Sequence, residues 1–190
     1  MKQMNKKICI CAGHGKSGKG IYDPGAVSKD GRFHEHKLAV KIAKYASDYL
    51  GCDSMNLDGT KSLVNRINAV NAGKYDFAAD IHLNAGGGTG AEVYYYHGSP
   101  TGKRAAQAVA KEISQTLGIK NRGARVKLNK YGNDYFGFIR STKPCTILVE
   151  CAFIDNNADL MKICTEEGCR KCGEAIGRAL EKALGGKNGH

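Results

Sequence analysis

Three polar residues that are suited to metal chemistry each stand at the end of an apolar run. His14 follows residues 8–12, His82 closes the stretch DFAADIH, and Glu150 closes TILVE. A catalytic zinc ion commonly has three His or carboxylate ligands from the protein and one position for water. In open α/β sheets such sites lie beyond the carboxyl ends of the strands. The three residues together therefore favour a metal-dependent hydrolase, although a single histidine after a strand is more often structural.

Glu35 is a fourth candidate, at the start of a predicted helix. It shares a helix face with the apolar residues Leu38, Ala39 and Ile42. A carboxylate that points into the interior costs several kcal/mol unless it meets a cation or strong donors, and a metal ion would provide that cation. A solvated glutamate in the first helical turn would instead stabilise the helix dipole. The residues alone favour the solvated interpretation over the metal ligand.

Two further histidines flank Glu35 and could compete for a metal ion. These are His34 and His36, and each is turned about 100° from Glu35 around the helix.

The stretch GHGKSGKG, residues 13–20, also resembles a phosphate-binding P-loop, whose pattern is GxxxxGK followed by Ser or Thr. Gly13, Gly18 and Lys19 fit this pattern, but Gly20 stands where the magnesium-binding hydroxyl is required. A P-loop also needs a helix that begins at the lysine, because its N-terminal amides hold the phosphates. The chain instead continues GIYDPGAV, and Pro24 breaks any such helix. A metal half-site at His14 is therefore favoured over a phosphate site.

Apolar patterning predicts alternating strands and helices, which indicate an α/β sheet with helices on both faces. The run 145–153 is continuously apolar, as is typical of a central buried strand. We expect one domain over residues 1–184 and a flexible tail, or the start of a linker, over 185–190. The predicted strands are residues 7–12, 52–58, 76–83, 91–97 and 145–153, and the predicted helices are 34–50, 62–73, 103–117 and two stretches after 153, the second over 166–184.

The chain is strongly basic, with a formal net charge of +11 over 190 residues. Such a charge predicts an anionic partner, which could be nucleic acid, a membrane surface or an anionic polymer. No apolar run approaches the roughly 18–20 residues of a membrane span, so we expect no membrane insertion. The run after the basic N-terminus is also too short for a signal peptide, which predicts synthesis in the cytoplasm.

Eight cysteines without a secretion signal favour reduced thiols over a disulfide framework. Cys164, Cys169 and Cys172 have the C-x4-C-x2-C spacing of plant-type iron–sulfur ligands, but no fourth cysteine follows. Cys169 and Cys172 share helical spacing with Ile176 and Leu180, so core packing explains them better.

The order of motifs resembles that of the zinc-dependent N-acetylmuramoyl-L-alanine amidases of the amidase type 3 family. The likeness covers residues 8–184. Its motifs are, in order, AGHG, DPGA, three single residues (a glutamate, an arginine and an asparagine), IHLNA, GAEVYYY, RG and LVECAFIDN. The resemblance implies a twisted, mostly parallel sheet flanked by helices and one bound zinc ion. It also implies cleavage of the peptidoglycan amide between N-acetylmuramic acid and the first L-alanine of the stem peptide.

The resemblance assigns roles to individual residues. His14, Glu35 and His82 match the zinc ligands of the family, and Glu150 matches its catalytic glutamate. Asn84 matches a family asparagine beside the zinc-bound histidine. Two positions depart mildly from the family pattern without touching a ligand position. They are Asp80, which stands where serine is more usual, and Cys151.

The resemblance also bears on partners and location. It implies bacterial peptidoglycan as substrate, with anionic wall polymers as a further partner of the basic surface and no role for nucleic acid. Without a signal peptide, we expect cytoplasmic synthesis and action on the wall after release. A phage endolysin is favoured for this over a lytic enzyme of a sporulating mother cell. The alternative functions are a non-catalytic wall-binding module and, with less support, a nucleotide- or nucleic-acid-binding protein.

Overall fold

A computed structural model describes residues 6–185, which form a six-stranded sheet, a two-stranded hairpin and six helices. In spatial order the sheet strands are β4 (Asp53–Met55), β1 (Ile8–Ala12), β5 (Phe77–Asn84), β8 (Cys145–Phe153), β6 (Ala91–Tyr95) and β7 (Asn121–Arg125). The hairpin pairs β2 (Gly15–Lys16) with β3 (Tyr22–Asp23). The helices are α1 (Glu35–Leu50), α2 (Leu63–Ala72), α3 (Pro100–Leu117), α4 (Gly137–Ser141), α5 (Asn157–Ile163) and α6 (Glu166–Leu184).

The sheet is mostly parallel. Strands β4, β1, β5 and β8 run in one direction, whereas β6 pairs antiparallel with β8 and parallel with β7. Parallel neighbours need crossover connections, and the helices between the strands provide them. The predicted single-domain α/β architecture is confirmed.

The helices lie on both faces of the sheet and bury them unequally. Helices α1, α3 and α6 pack together with one face, in the larger hydrophobic core. A smaller cluster on the other face joins Cys9, Cys11 and Ala78 of the sheet to Val70 of α2 and Phe138 of α4. Because β8 is covered from both sides, its residues 146–153 are all buried, as the apolar run predicts.

Alternation along the strands decides which side chains reach the smaller cluster's face. On β5, Ile81 and Leu83 enter the larger core, so His82 points to the opposite face. His82 pairs in register with Glu150 of β8, and Glu150 pairs with Glu92 of β6. Directly paired residues project to the same face, so these three polar side chains form one row across the sheet.

Three elements lack a clear apolar pattern and were not among the predicted ones. They are the hairpin β2–β3, the short helix α4 and the edge strand β7. Because β7 pairs on one side only, its sequence NRGAR lacks the apolar pattern of a buried strand and resembles a loop. Strands β5 and β8 also continue past His82 and Glu150, so these residues lie within strands rather than at their last position. Of the predicted tail 185–190, Gly185 caps α6, and 186–190 lie outside the described residues.

Across residues 6–185, every helix is too short or too polar to span a lipid bilayer.

A testable consequence concerns the contact of α1 with α6. A Cβ on Gly173 would stand 2.6 Å from the carbonyl oxygen of Ile42 and 2.6 Å from Cβ of Tyr45, whereas the three atoms nearest to one on Gly177 all belong to the Tyr49 side chain. Backbone cannot move aside as a tyrosine ring can. We therefore expect Gly173→Ala to lower the free energy of unfolding by about 2 kcal/mol and Gly177→Ala to change it much less. Urea unfolding of both variants tests this, and equal stabilities would contradict the packing.

Candidate functional site

His14, Glu35 and His82 converge near the carboxyl ends of β1 and β5. Oε1 of Glu35 lies 3.1 Å from Nε2 of His14 and 2.8 Å from Nδ1 of His82. One ligand atom from each residue lies within 4.8 Å of the others, so together they could hold a metal ion. Within the described part of the chain, no other group of three His, Cys, Asp or Glu side chains has this spacing.

Glu35 is placed by the first turn of α1 and by the loop before it. Its backbone N–H donates to the carbonyl of Ala26, and its Oε2 accepts a hydrogen bond from the Ala26 N–H at 2.7 Å. Its Oε1 accepts another from the Leu83 N–H at 3.1 Å. The side chain is 5% exposed, so the interpretation of Glu35 as a solvated helix-dipole residue is wrong.

Glycine is required beside this carboxylate. Gly25 has φ 69°, and a Cβ there would strike the carboxylate of Glu35 and the ring of His14. The DPGA stretch is thus a turn that lets the backbone approach the site closely.

His14 has a left-handed backbone, with φ 58°. Its carbonyl accepts hydrogen bonds from Nδ2 of Asn56 at 2.8 Å and from Nη1 of Arg66 at 3.0 Å. The preceding Gly13 has no Cβ, which would otherwise overlap the ring of His82. A left-handed non-glycine residue persists where its surroundings over-determine it, and these contacts do so.

A second carboxylate stands behind each histidine. Nδ1 of His14 lies 2.9 Å from Oδ2 of Asp23, and Nε2 of His82 lies 3.0 Å from Oδ2 of Asp80. Such partners fix the ring orientation and the tautomer of metal-binding histidines. The arrangement leaves the other ring nitrogen of each histidine facing Glu35.

Asp80 is kept ionised by a buried ion pair. Burial alone would raise the pKa of its carboxyl group, but Arg66, with Nη2 at 3.3 Å, and His82 hold that pKa below its usual value. Asp80 departs from the residue usual in the family, and here it orients His82. Arg66 contacts both Asp80 and the carbonyl of His14, so one guanidinium supports both histidines.

Glu150 lies beside this cluster and, unlike Glu35, has an unpaired oxygen. Its side chain is buried, and Oε2 has no hydrogen-bond partner among residues 6–185. Burial raises the pKa of Glu150 to about 7. A carboxylate with this pKa can accept and release a proton near neutral pH.

Glu92 is a site residue that sequence reasoning missed. Its Oε1 accepts hydrogen bonds from Nδ2 of Asn84 at 2.7 Å and from the hydroxyl of Tyr94 at 2.9 Å. Its Oε2 lies 2.6 Å from Nε of Arg122 and 3.0 Å from Nε of Arg125. Although burial opposes it, these groups hold the pKa of Glu92 below its usual value. A carboxylate inside the strand-like run AEVYYY was the available signal.

The other histidines of this region do not join the cluster. Nδ1 of His36 lies 2.6 Å from the carbonyl of Gly13, so His36 supports the loop instead. His34 lies 3.4 Å from the hydroxyl of Tyr22.

The remaining alternatives find no support in the fold. After Lys19 the chain forms β3, and the next helix begins only at Glu35, so the helix N-terminus that a P-loop needs is absent from residues 19–34. Cys169 and Cys172 are buried in the core, and Sγ of Cys169 donates to the carbonyl of Ile163. All eight cysteines are free, in agreement with the predicted reduced thiols.

A cleft of about 370 Å³ opens beside the cluster. The hairpin β2–β3, the start of α2 and the segment around α4 form its walls, and Asp80 and His82 lie at its base. The cleft gives a substrate of several residues access to His14 and His82.

Comparisons with known proteins identify the family of the chain. The family model for N-acetylmuramoyl-L-alanine amidase matches residues 8–182. The chain belongs to this amidase family. The predicted family and the class of enzyme that it implies are thereby confirmed.

The chain covers different shares of the individual proteins to which it is similar. It is 32% identical over 188 residues to a sporulation-specific N-acetylmuramoyl-L-alanine amidase of Bacillus subtilis (strain 168), covering 94% of this chain and 68% of that relative. The fold is similar to that of Cwp6 from Clostridium difficile, with TM-score 0.84 and 34% identity, covering 94% of this chain and 29% of that one. An N-acetylmuramoyl-L-alanine amidase from Clostridium difficile 630 gives TM-score 0.82 at 26% identity, covering 97% of this chain and all of that one.

The unpaired carboxylate of Glu150 gives a prediction for stability. Its pKa is about 7 in the fold, against an ordinary value of 4.5, so its ionisation destabilises the metal-free protein progressively above pH 4.5 and fully above pH 7. We expect Glu150→Gln to raise the free energy of unfolding by up to about 3 kcal/mol at pH 8, and hardly at all at pH 4.5. Urea unfolding with chelator at both pH values tests this. The exposed Glu167→Gln is the control, and an equal gain at both pH values would contradict the assignment.

Proposed function

We propose that this chain hydrolyses the amide between N-acetylmuramic acid and L-alanine in peptidoglycan, with zinc held by His14, Glu35 and His82 and with Glu150 as the catalytic base. The proposal rests on the row of side chains across the sheet. In this row Glu150 lies in register with His82, and its Oε2 has no hydrogen-bond partner among residues 6–185. Membership of the amidase family supports the choice of substrate.

The donor set fits zinc. Two imidazole nitrogens and one carboxylate oxygen are a ligand set that zinc takes in hydrolases, and three protein ligands leave a position for water. Each histidine is backed by a carboxylate, from Asp23 and Asp80. Such carboxylates raise the basicity of the ligating nitrogen and are common around zinc.

The buried carboxylate of Glu35 also favours the binding of a cation. Although burial opposes it, His14 and His82 hold the pKa of Glu35 far below its usual value, so this buried carboxylate is ionised. Without a metal ion, the two imidazoles must supply the compensating positive charge. Zinc would replace their protons, so we expect metal binding to release protons and to strengthen with rising pH.

When bound, zinc would polarise the scissile carbonyl and lower the pKa of a water molecule to about 7. Glu150 would accept the proton of the attacking water and deliver it to the nitrogen of the leaving alanine. Its raised pKa suits both transfers, because a group that titrates near neutral pH can first hold and then release the proton. Glu150 lies on β8, between β5 and β6 in the sheet, and its register with His82 means that its side chain projects to the face where the cleft opens.

The formal charge of +11 supports a further part of the proposal, association with anionic wall polymers. Long-range attraction of this kind weakens as salt screens it, over about 10 Å at 0.1 M. Binding to isolated walls should therefore decrease with ionic strength.

Two isosteric substitutions separate metal binding from catalysis. We expect Glu35→Gln to reduce bound zinc from one equivalent to well below one, because it removes the anion that both histidines face. Glu150→Gln should keep one equivalent but lose at least about 100-fold in the rate of peptidoglycan hydrolysis, since the proton acceptor is gone. Zinc content after dialysis and release of soluble wall fragments provide the two readouts.

His34→Ala is the matched control, since His34 adjoins Glu35 in sequence but contacts Tyr22 instead. It should retain both zinc and activity. Full zinc in Glu35→Gln would remove Glu35 from the ligand set, and wild-type turnover in Glu150→Gln would remove Glu150 from the reaction.

A further inference from the structure

We propose that Arg122 and Arg125 form a subsite for a carboxylate of the substrate, close to Glu150. The inference rests on the proposed function, because it assigns this carboxylate to the stem peptide that leaves with the L-alanine amine. Both arginines lie on β7, the edge strand of the sheet.

The two arginines reach the sheet face that carries the proposed catalytic groups. Glu150 pairs in register with Glu92 on the neighbouring strand, so both side chains project to one face. Nε of Arg122 and Nε of Arg125 lie 2.6 and 3.0 Å from the same oxygen of Glu92. Their guanidinium groups therefore lie on this face as well, next to the carboxylate that neighbours Glu150.

The pair carries more positive charge than its protein partner balances. Two guanidinium ions meet the single carboxylate of Glu92, whose other oxygen already accepts hydrogen bonds from Asn84 and Tyr94. Both arginines contact Glu92 through Nε, and their terminal Nη groups have no hydrogen-bond partner among residues 6–185. The side chains of Arg122 and Arg125 are 27% and 46% exposed. Their Nη groups remain available for an anion.

The chemistry of the pair selects a carboxylate. Paired Nη donors in a planar fork match the two oxygens of a carboxylate, and such bonds are among the stronger hydrogen bonds in proteins. An uncharged amide at the same place would leave the excess charge unmet and would accept at only one oxygen. The subsite should therefore distinguish an acid from the corresponding amide.

The position of the pair indicates which carboxylate it would bind. From His82 on β5 to Glu92 on β6 there are two strand spacings of about 4.8 Å, or roughly 10 Å in all. An extended peptide advances about 3.5 Å per residue, so the L-alanine and the next residue place a carboxyl carbon about 7 Å beyond the scissile carbonyl. A hydrogen bond of about 3 Å to an Nη group then brings the total to roughly 10 Å. We assign the subsite to the α-carboxylate of the second stem residue, which can be present as a free acid or as an amide.

The test uses two substrates that differ only in that group, N-acetylmuramoyl-L-alanyl-D-glutamate and N-acetylmuramoyl-L-alanyl-D-isoglutamine. With zinc-loaded wild type, we expect kcat/KM to be about 10- to 100-fold higher for the acid, the range for hydrogen bonds to charged groups. Arg125→Gln should lose this preference by slowing on the acid alone. Arg125→Lys should keep part of it, because the charge remains but the fork is lost.

Arg104→Gln is the matched control, an exposed arginine on α3, which packs against the opposite face of the sheet. It should behave as wild type on both substrates. Equal rates of wild type on acid and amide would overturn the subsite, and so would a preference that survives in Arg125→Gln. An equal loss on both substrates, with a lower melting temperature, would assign Arg125 to stabilising Glu92 alone and would also overturn it.

Failure of the proposed function is distinguishable from failure of the subsite. If zinc-loaded wild type cuts neither substrate nor whole peptidoglycan, the amidase proposal fails. Calorimetric binding of both compounds to Glu150→Gln then decides the subsite. Tighter binding of the acid, lost in the double variant with Arg125→Gln, would support it, and equal binding would overturn it.

Discussion

The buried carboxylate of Glu35 is the constraint on which the rest of the site depends. It is a negative charge in the protein interior, and its cost is offset only because two imidazoles and two backbone N–H groups converge on it. Those partners come from the loop after β1, the DPGA turn and β5. These contacts hold the first turn of α1 against the part of the sheet that carries the row of His82, Glu150 and Glu92. They also set the geometry of the proposed metal ligands.

Two neighbouring glutamates on the sheet have opposite environments, and that difference separates their chemistry. Glu92 contacts two guanidinium groups, an amide and a phenol, which favour its ionised form. Glu150 is buried and one of its oxygens lacks a hydrogen-bond partner among residues 6–185, which disfavours its ionised form. Paired carboxylates whose pKa values are pushed apart are typical of acid–base catalysis. Keeping Glu150 unpaired lowers stability above neutral pH, so the proposed base is retained at a cost to the fold.

The parts that the sequence could predict were those with strong local patterns. Apolar runs identified β1, β5 and β8, and the helical stripe of residues 38–46 identified α1, so His14, Glu35, His82 and Glu150 could be named before the fold was known. The supporting residues could not, because they depend on contacts between distant segments. Asp23 reaches His14 only through the hairpin turn, and Arg66 reaches Asp80 only once α2 packs on the sheet. Strand β7 lacks apolar residues apart from Ala124. A functional role for its arginines could be inferred only from their contact with Glu92 in the fold.

The identity of the chemical ends that the protein creates in purified peptidoglycan tests the proposed amidase activity most directly. We expect new N-terminal alanine without new reducing sugar ends. The reaction should stop when a chelator removes zinc and return when zinc is restored. New amine ends from another residue would place the cut within the stem peptide and contradict the proposed bond. New alanine ends formed at full rate in the presence of chelator would contradict the proposed metal centre at His14, Glu35 and His82.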